Sequence, residues 1–179
     1  MTISSFLFNN EFFRKFKREK QFKPLYKFLG KKKFSKVLEI GSGNGLNSLK
    51  TRVNCKEFIA TDISKNKFID KVIDVRKMPF KKNEFDLVLC IQVLEHIPNF
   101  WVAVEELKRV TKNYLIISVP FIYPEHLTPT DFYRFTEYGL NYLFDWKKII
   151  SFKTMNFKNF YSSITIVYKK NNWLKWITL

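Results

Sequence analysis

Three of the chain's five glycines fall within five residues, Gly41, Gly43 and Gly45, directly after the run Val37-Leu38-Glu39-Ile40. A strand that ends in clustered glycines can turn tightly and let a ligand come close to its backbone, because glycine tolerates left-handed torsions without steric cost. A plain strand-to-helix turn needs one glycine, so three read as a ligand loop that opens a short helix at Leu46. The runs that follow keep the same texture. Lys36–Ile40, Phe58–Thr61, Lys71–Asp74, Phe85–Ile91 and Tyr114–Val119 are short and rich in Val, Ile and Leu, as suits parallel strands covered on both faces. Between the last two, Trp101, Val104, Leu107 and Val110 recur at helical spacing. Ile149–Lys153 and Ile164–Lys169 add a final strand pair with one antiparallel edge. This is an α/β pattern on a mostly parallel sheet.

The second strand ends at Asp62, 17 residues past Gly45, where a carboxylate can accept both hydroxyls of a ribose. Asp74 ends the third strand and either accepts from an adenine amino group or caps a turn. A nicotinamide-type fingerprint is weaker, since Gly-x-Gly-x-x-Gly needs a third glycine at position 46, which is Leu46. Only eight residues separate Asp62 from Lys71, too few for a crossover helix. The second crossover is therefore predicted to be a loop or a single turn, with aromatic N-terminal helices as a candidate cover for the exposed face.

In order along the chain, Val37-Leu38-Glu39-Ile40-Gly41-Ser42-Gly43-Asn44-Gly45, Asp62, Asp74, Pro79-Phe80, Phe85-Asp86-Leu87-Val88 and Leu94-Glu95-His96-Ile97-Pro98 resemble the class I S-adenosylmethionine-dependent methyltransferases. The resemblance covers roughly Val37 to Val119. It implies a Rossmann-like sandwich, here with a trimmed second crossover and extra N-terminal helices. It also implies S-adenosylmethionine as cofactor. Gly41, Ser42, Gly43 and Gly45 would wrap its methionine and ribose part, in a loop ordered by Glu39. Asp62, with Ile63 beside it, would bind the ribose, Asp74 and Val75 would frame the adenine, and Cys90, Ile91 and Gln92 would line the methionine end.

Two histidines occur, each after a glutamate: Glu95-His96 and Glu125-His126. Both lie just past a strand tip, where open α/β sheets bind ligands. Methyl transfer from a sulfonium rests on alignment, and a hydroxyl acceptor gains from a base near neutral pH, so Glu95, His96 and His126 are the catalytic candidates. His96 alternatively packs under the cofactor, and His126 alternatively bonds a backbone group. No metal is expected, because the position that would complete a carboxylate-histidine set is Gln92. The segment Pro120 to Thr136 is stiffened by three prolines and dense in aromatics. It resembles a small bacterial, type 11-like branch of the same methyltransferases, often linked with surface-glycan assembly. That places Tyr123, His126, Tyr133 and Arg134 at the acceptor, unless Arg134 merely pairs Asp131 or Glu137 and staples the loop.

The formal charge of +16 invites a polyanion partner, but its distribution argues otherwise. Residues 1–36 carry a net +9, residues 37–145 are balanced, and residues 146–179 carry +7. The expected organisation is a basic, aromatic helical cap over residues 1–35 and a methyltransferase domain over 36–179. The cap's helix over residues 10–20 puts Phe12, Phe13 and Phe16 on one face, which suits peripheral contact with an anionic membrane; nucleic acid ranks lower because no RNA-binding module is visible. Two cysteines without a disulfide or metal pattern, no basic segment followed by an apolar core at the N-terminus and no long apolar run predict a cytoplasmic protein. The expected function is methyl transfer to a small-molecule or glycan/lipid-linked acceptor, at oxygen. The alternatives are an RNA methyltransferase and an inactive S-adenosylmethionine-binding module.

Overall fold

The computed structural model describes residues 21–45, 48–125, 129–155 and 161–171. Seven strands form one sheet: β1 (Phe34–Ile40), β2 (Cys55–Asp62), β3 (Lys71–Val72), β4 (Phe85–Ile91), β5 (Thr111–Pro120), β6 (Lys147–Met155) and β7 (Tyr161–Lys169). Their order is β3-β2-β1-β4-β5-β7-β6. The first five run parallel, and β7 enters antiparallel between β5 and β6 at that margin. Chain order reverses between β1 and β4, so their carboxyl ends flank the crevice where such sheets bind ligands.

Alternation along the strands sorts the core into two layers. Leu38, Val88, Cys90, Leu115, Ile117, Ile164 and Ile166 face α2 (Phe100–Val110) and α3 (Glu137–Phe144), which bury Ala103, Val104, Leu107, Val110, Leu140 and Phe144 against them. On the opposite face, Val37, Leu87, Leu89, Ile116 and Val167 meet α1 (Lys23–Gly30) through Leu25, Phe28 and Leu29. Helix α1 begins with Pro24 in its first turn, where the missing amide costs nothing. Helix α3 was not apparent as a separate element in the apolar pattern. Thr136 caps it, accepting from the Gly139 amide at 3.0 Å.

The crossover from β2 to β3 holds no helix, in line with its eight residues. Asp70 secures it: its amide donates to the Ala60 carbonyl at 2.9 Å and its Oδ2 accepts from the Ala60 amide at 2.8 Å. The opening of the helix expected at Leu46 lies outside the described residues; among the described residues of that connection, Lys50–Arg52 forms a three-residue 3₁₀ turn. With these crossovers reduced, α1 supplies the only α-helical packing on that sheet face among the described residues. The predicted helix over residues 10–20 lies outside the described residues. No described helix is long and apolar enough to cross a membrane.

Leu29 is fully buried in that single covering helix. Leu29→Ala is expected to lower stability by about 2–5 kcal/mol, read as a fall in the urea midpoint by tryptophan fluorescence.

Candidate functional site

The site begins with a carboxylate beneath the glycine loop. Glu39, 3% exposed, accepts from the Ser42 hydroxyl at 2.8 Å, the Ser48 hydroxyl at 2.6 Å and the Leu49 amide at 2.8 Å. A buried carboxylate needs such donors, and here they come from both arms of the loop, which is thereby closed. The Ser42 amide also donates to the Thr61 carbonyl on β2. Gly41 (φ +70°) and Gly45 (φ +77°) both take left-handed torsions. A Cβ at Gly41 would overlap Val93, and one at Gly45 would sit 2.9 Å from the Phe68 ring, so the cluster is required by torsion and by space.

Asp62 joins the loop from β2. Its Oδ2 accepts from the Gly43 amide and its Oδ1 from the Ser64 amide, both at 3.0 Å. Asp74 lies across the crevice, its two oxygens held by the Arg76 side chain, which keeps the carboxyl below the usual carboxylate range. Between them opens a cavity of about 330 Å³. Its polar wall is Gly41, Asp62, Asp74, Gln92 and His96, and its apolar wall includes Ile40, Ile63, Ile73, Val75, Val93, Ile97 and Pro129. No lysine or arginine lines it among the described residues. Ser42 is buried under the loop on Glu39. Cys90 and Ile91 pack into the two core layers and do not line the cavity, unlike Gln92. Burial pushes the Cys90 thiol upward, leaving it an apolar core group.

The 3₁₀ turn Leu94–His96 brings the next pair to the crevice. His96 Nδ1 lies 3.0 Å from the Thr130 carbonyl; a carbonyl only accepts, so the proton belongs on Nδ1. Nε2 is then the basic nitrogen, 3.8 Å from Glu95 Oε1. Glu95 is 1% exposed, and its Oε2 has no hydrogen-bond partner among the described residues. Burial first, then the charge of Asp131, pushes its pKa up to about 8.

Above β5, Arg134 forks onto both Asp131 oxygens at 2.6 Å and donates to the carbonyls of Tyr123, Pro124 and Tyr133. Its guanidinium is committed to holding the loop in shape. The Tyr133 hydroxyl donates to the Pro98 carbonyl at 2.7 Å, and the ring packs edge-on against Phe100. Tyr123 is half-exposed and borders a second cavity. His126 lies outside the described residues. Among those described, no three His, Cys, Asp or Glu side chains converge as metal ligands.

Sequence reasoning missed Ile73, Val93, Ile97 and Pro129, whose only signal was apolarity beside a motif. It also missed Asn66, whose amide donates to the Gly43 carbonyl at 2.9 Å and braces the loop from the shortened crossover.

A family model for a methyltransferase domain matches residues 38–117. The protein MJ0638 of Methanocaldococcus jannaschii is 43% identical over 98 residues, half of this chain; the chain spans only 41% of that relative's length. The PH0226 protein of Pyrococcus horikoshii shares the fold at a TM-score of 0.66, with 20% identity over 91% of this chain and 93% of that one. The Burkholderia thailandensis 1,6-didemethyltoxoflavin-N1-methyltransferase, solved with S-adenosylhomocysteine, reaches 0.68 with 16% identity, over 94% and 87% of the two chains.

Glu95 makes stability depend on pH. Its carboxyl ionises near 4.5 in the unfolded chain and near 8 in the folded one, so between those values the folded state retains a proton that the unfolded chain has released. Its contribution is complete below pH 4.5 and is lost as pH rises toward 8. Glu95→Gln should remove that slope. The melting temperature of the variant should gain on the parent progressively from acid to mildly alkaline pH, by about 2–4 °C per kcal/mol.

Proposed function

We propose, from the match of a methyltransferase-domain model over residues 38–117, that the chain is a class I S-adenosylmethionine-dependent methyltransferase and that it transfers a methyl group to oxygen on a small-molecule or glycan/lipid-linked acceptor. The observation that carries this reading is the cavity at the strand tips, with a glycine loop on one side, two carboxylates and no cationic side chain on its described wall.

The residues present fit that cofactor. S-adenosylmethionine bears a sulfonium and an ammonium against one carboxylate, so a wall with Asp62 and Asp74 favours it, whereas a dinucleotide pyrophosphate would meet repulsion. Each Asp62 oxygen accepts one bond from the protein and keeps acceptor capacity for a ribose hydroxyl. Ile63, Ile73, Val75 and Ile97 offer apolar faces to an adenine, with Asp74 at its edge. A Cβ at Gly43 would meet nothing within 4 Å, so its backbone is open to close approach.

When bound, the cofactor supplies a methyl carbon activated by sulfonium and displaced in line. His96, on the cavity wall, takes the acceptor's hydroxyl proton at Nε2, because its Nδ1–H is committed to Thr130. Glu95, its Oε1 3.8 Å from that nitrogen, helps to orient the imidazole.

Calorimetry is expected to show binding of S-adenosylmethionine and S-adenosylhomocysteine but not NAD; the reverse would contradict the proposal. Asp62→Ala should weaken both adenosyl ligands by about 10- to 100-fold, the loss of charge-assisted bonds to the ribose. His96→Ala should bind S-adenosylhomocysteine within about twofold of the parent while losing about 10²–10⁴ in turnover, measured as S-adenosylhomocysteine release.

A further inference from the structure

Gln92 ends β4 with a left-handed torsion, φ +55°. The other non-glycine residues with positive φ among those described, Asn83 and Asp145, are types that tolerate it; a glutamine needs to be held there. Two groups hold it. Its amide donates to the Ser118 carbonyl at 2.8 Å, and its side-chain Nε2 donates to the Ser118 hydroxyl at 3.2 Å. The Thr165 hydroxyl donates to that same Ser118 oxygen at 3.0 Å. Ser118 and Thr165 are 1% and 0% exposed, so two fully buried hydroxyls from β5 and β7 serve to aim one carboxamide. That carboxamide borders both the cofactor cavity and a second cavity of about 340 Å³, lined among the described residues by Gln92, Pro120, Tyr123, Ser162 and Ser163. Ser162 is itself anchored, its hydroxyl 3.2 Å from the Thr154 hydroxyl and donating to the Thr154 carbonyl.

We propose that this second cavity is the acceptor pocket and that it selects an uncharged, hydroxyl-bearing ring, bonded by Gln92, Ser162 and Ser163 and stacked on Tyr123. The inference rests on the methyltransferase reading and adds the acceptor's chemistry to it. Every polar side chain on the described wall both donates and accepts while carrying no charge. The ion pair beside Tyr123, Arg134 with Asp131, is closed on itself, and the guanidinium also donates to the backbone carbonyls of Tyr123, Pro124 and Tyr133. A charged ring entering here would lose hydration and find no counter-charge on the described wall, whereas a neutral polyol exchanges water for hydroxyl and amide partners. Because Gln92 belongs to both cavities, a hydroxyl bonded to it lies at the border with the methyl donor.

The test uses three matched rings, methyl α-glucoside, glucuronate and glucosamine, titrated by saturation-transfer NMR into the full chain with and without S-adenosylhomocysteine. The glucoside is expected to bind at least about tenfold more tightly than either charged ring. Ser163→Ala, which lies outside the cofactor cavity, should weaken it about 3- to 10-fold while S-adenosylhomocysteine affinity stays within twofold, and Gln92→Gly, which relieves the torsion, should weaken the glucoside by at least as much. Equal or tighter binding of a charged ring, no binding of any ring, or variants that leave the glucoside unaffected would overturn the inference. Failure of the methyltransferase reading would show separately, as no response to S-adenosylhomocysteine itself.

Discussion

A carboxylate buried beneath a strand tip must be given donors, and at Glu39 all of them come from the loop the strand feeds. Ser42 donates from one arm, Ser48 and the Leu49 amide from the other, while the Glu39 carbonyl accepts from Thr61 on β2. One residue thus closes the loop with its side chain and ties its strand to the neighbouring one with its backbone carbonyl. The left-handed torsions of the glycines, the close approach of Val93 and Phe68, and the bond from the Gly43 amide to Asp62 all depend on that closure. The cavity has a rigid lip because the first strand ends in an acid that cannot be left unpaired.

Shortened connections shape the rest of the molecule. Where a parallel sheet usually carries a helix over each crossover, the link from β2 to β3 is a loop braced by Asp70 and Asn66, and the link before β2 holds, among its described residues, a single 3₁₀ turn. Both economies fall on the side of β1 that leads to the edge strand. The opposite half keeps α2 and α3, which pack on the larger of the two core layers. Helix α1 compensates on the other face with Leu25, Phe28 and Leu29, so a short helix ahead of the first strand takes on work that crossover helices do elsewhere.

Charge follows a different logic from chemistry. The balanced residues 37–145 contain all of the described lining of the strand-tip cavity, whose wall carries carboxylates, an imidazole and an amide. The excess of lysine belongs to the two ends. Within the balanced region, potentially disruptive charges are closed on one another: Arg134 on Asp131, Arg76 on Asp74, and Arg109 on Glu106 with the carbonyls of Met78 and Phe80. Glu95 is the exception, buried with an oxygen unpartnered among the described residues and with its pKa raised toward neutrality by that burial.

Much of this was legible before any coordinates, for a physical reason. Glycine clustering, aliphatic runs and the eight-residue gap after Asp62 are local constraints, since backbone torsion, burial on both faces and chain reach are properties of a few consecutive residues. They determined the parallel sheet, the tight glycine loop, the acidic strand tips and the missing crossover helix. What they left open depends on groups far apart in sequence. Only the tertiary structure decided that Arg134 is committed to its own loop, that Cys90 and Ile91 turn into the core while Gln92 faces the cavity, and that Ser118 and Thr165 meet behind it, 47 positions apart. A side chain's chemistry is written in its residue type, but whether its donors are committed or available is settled by neighbours that the fold alone brings into reach.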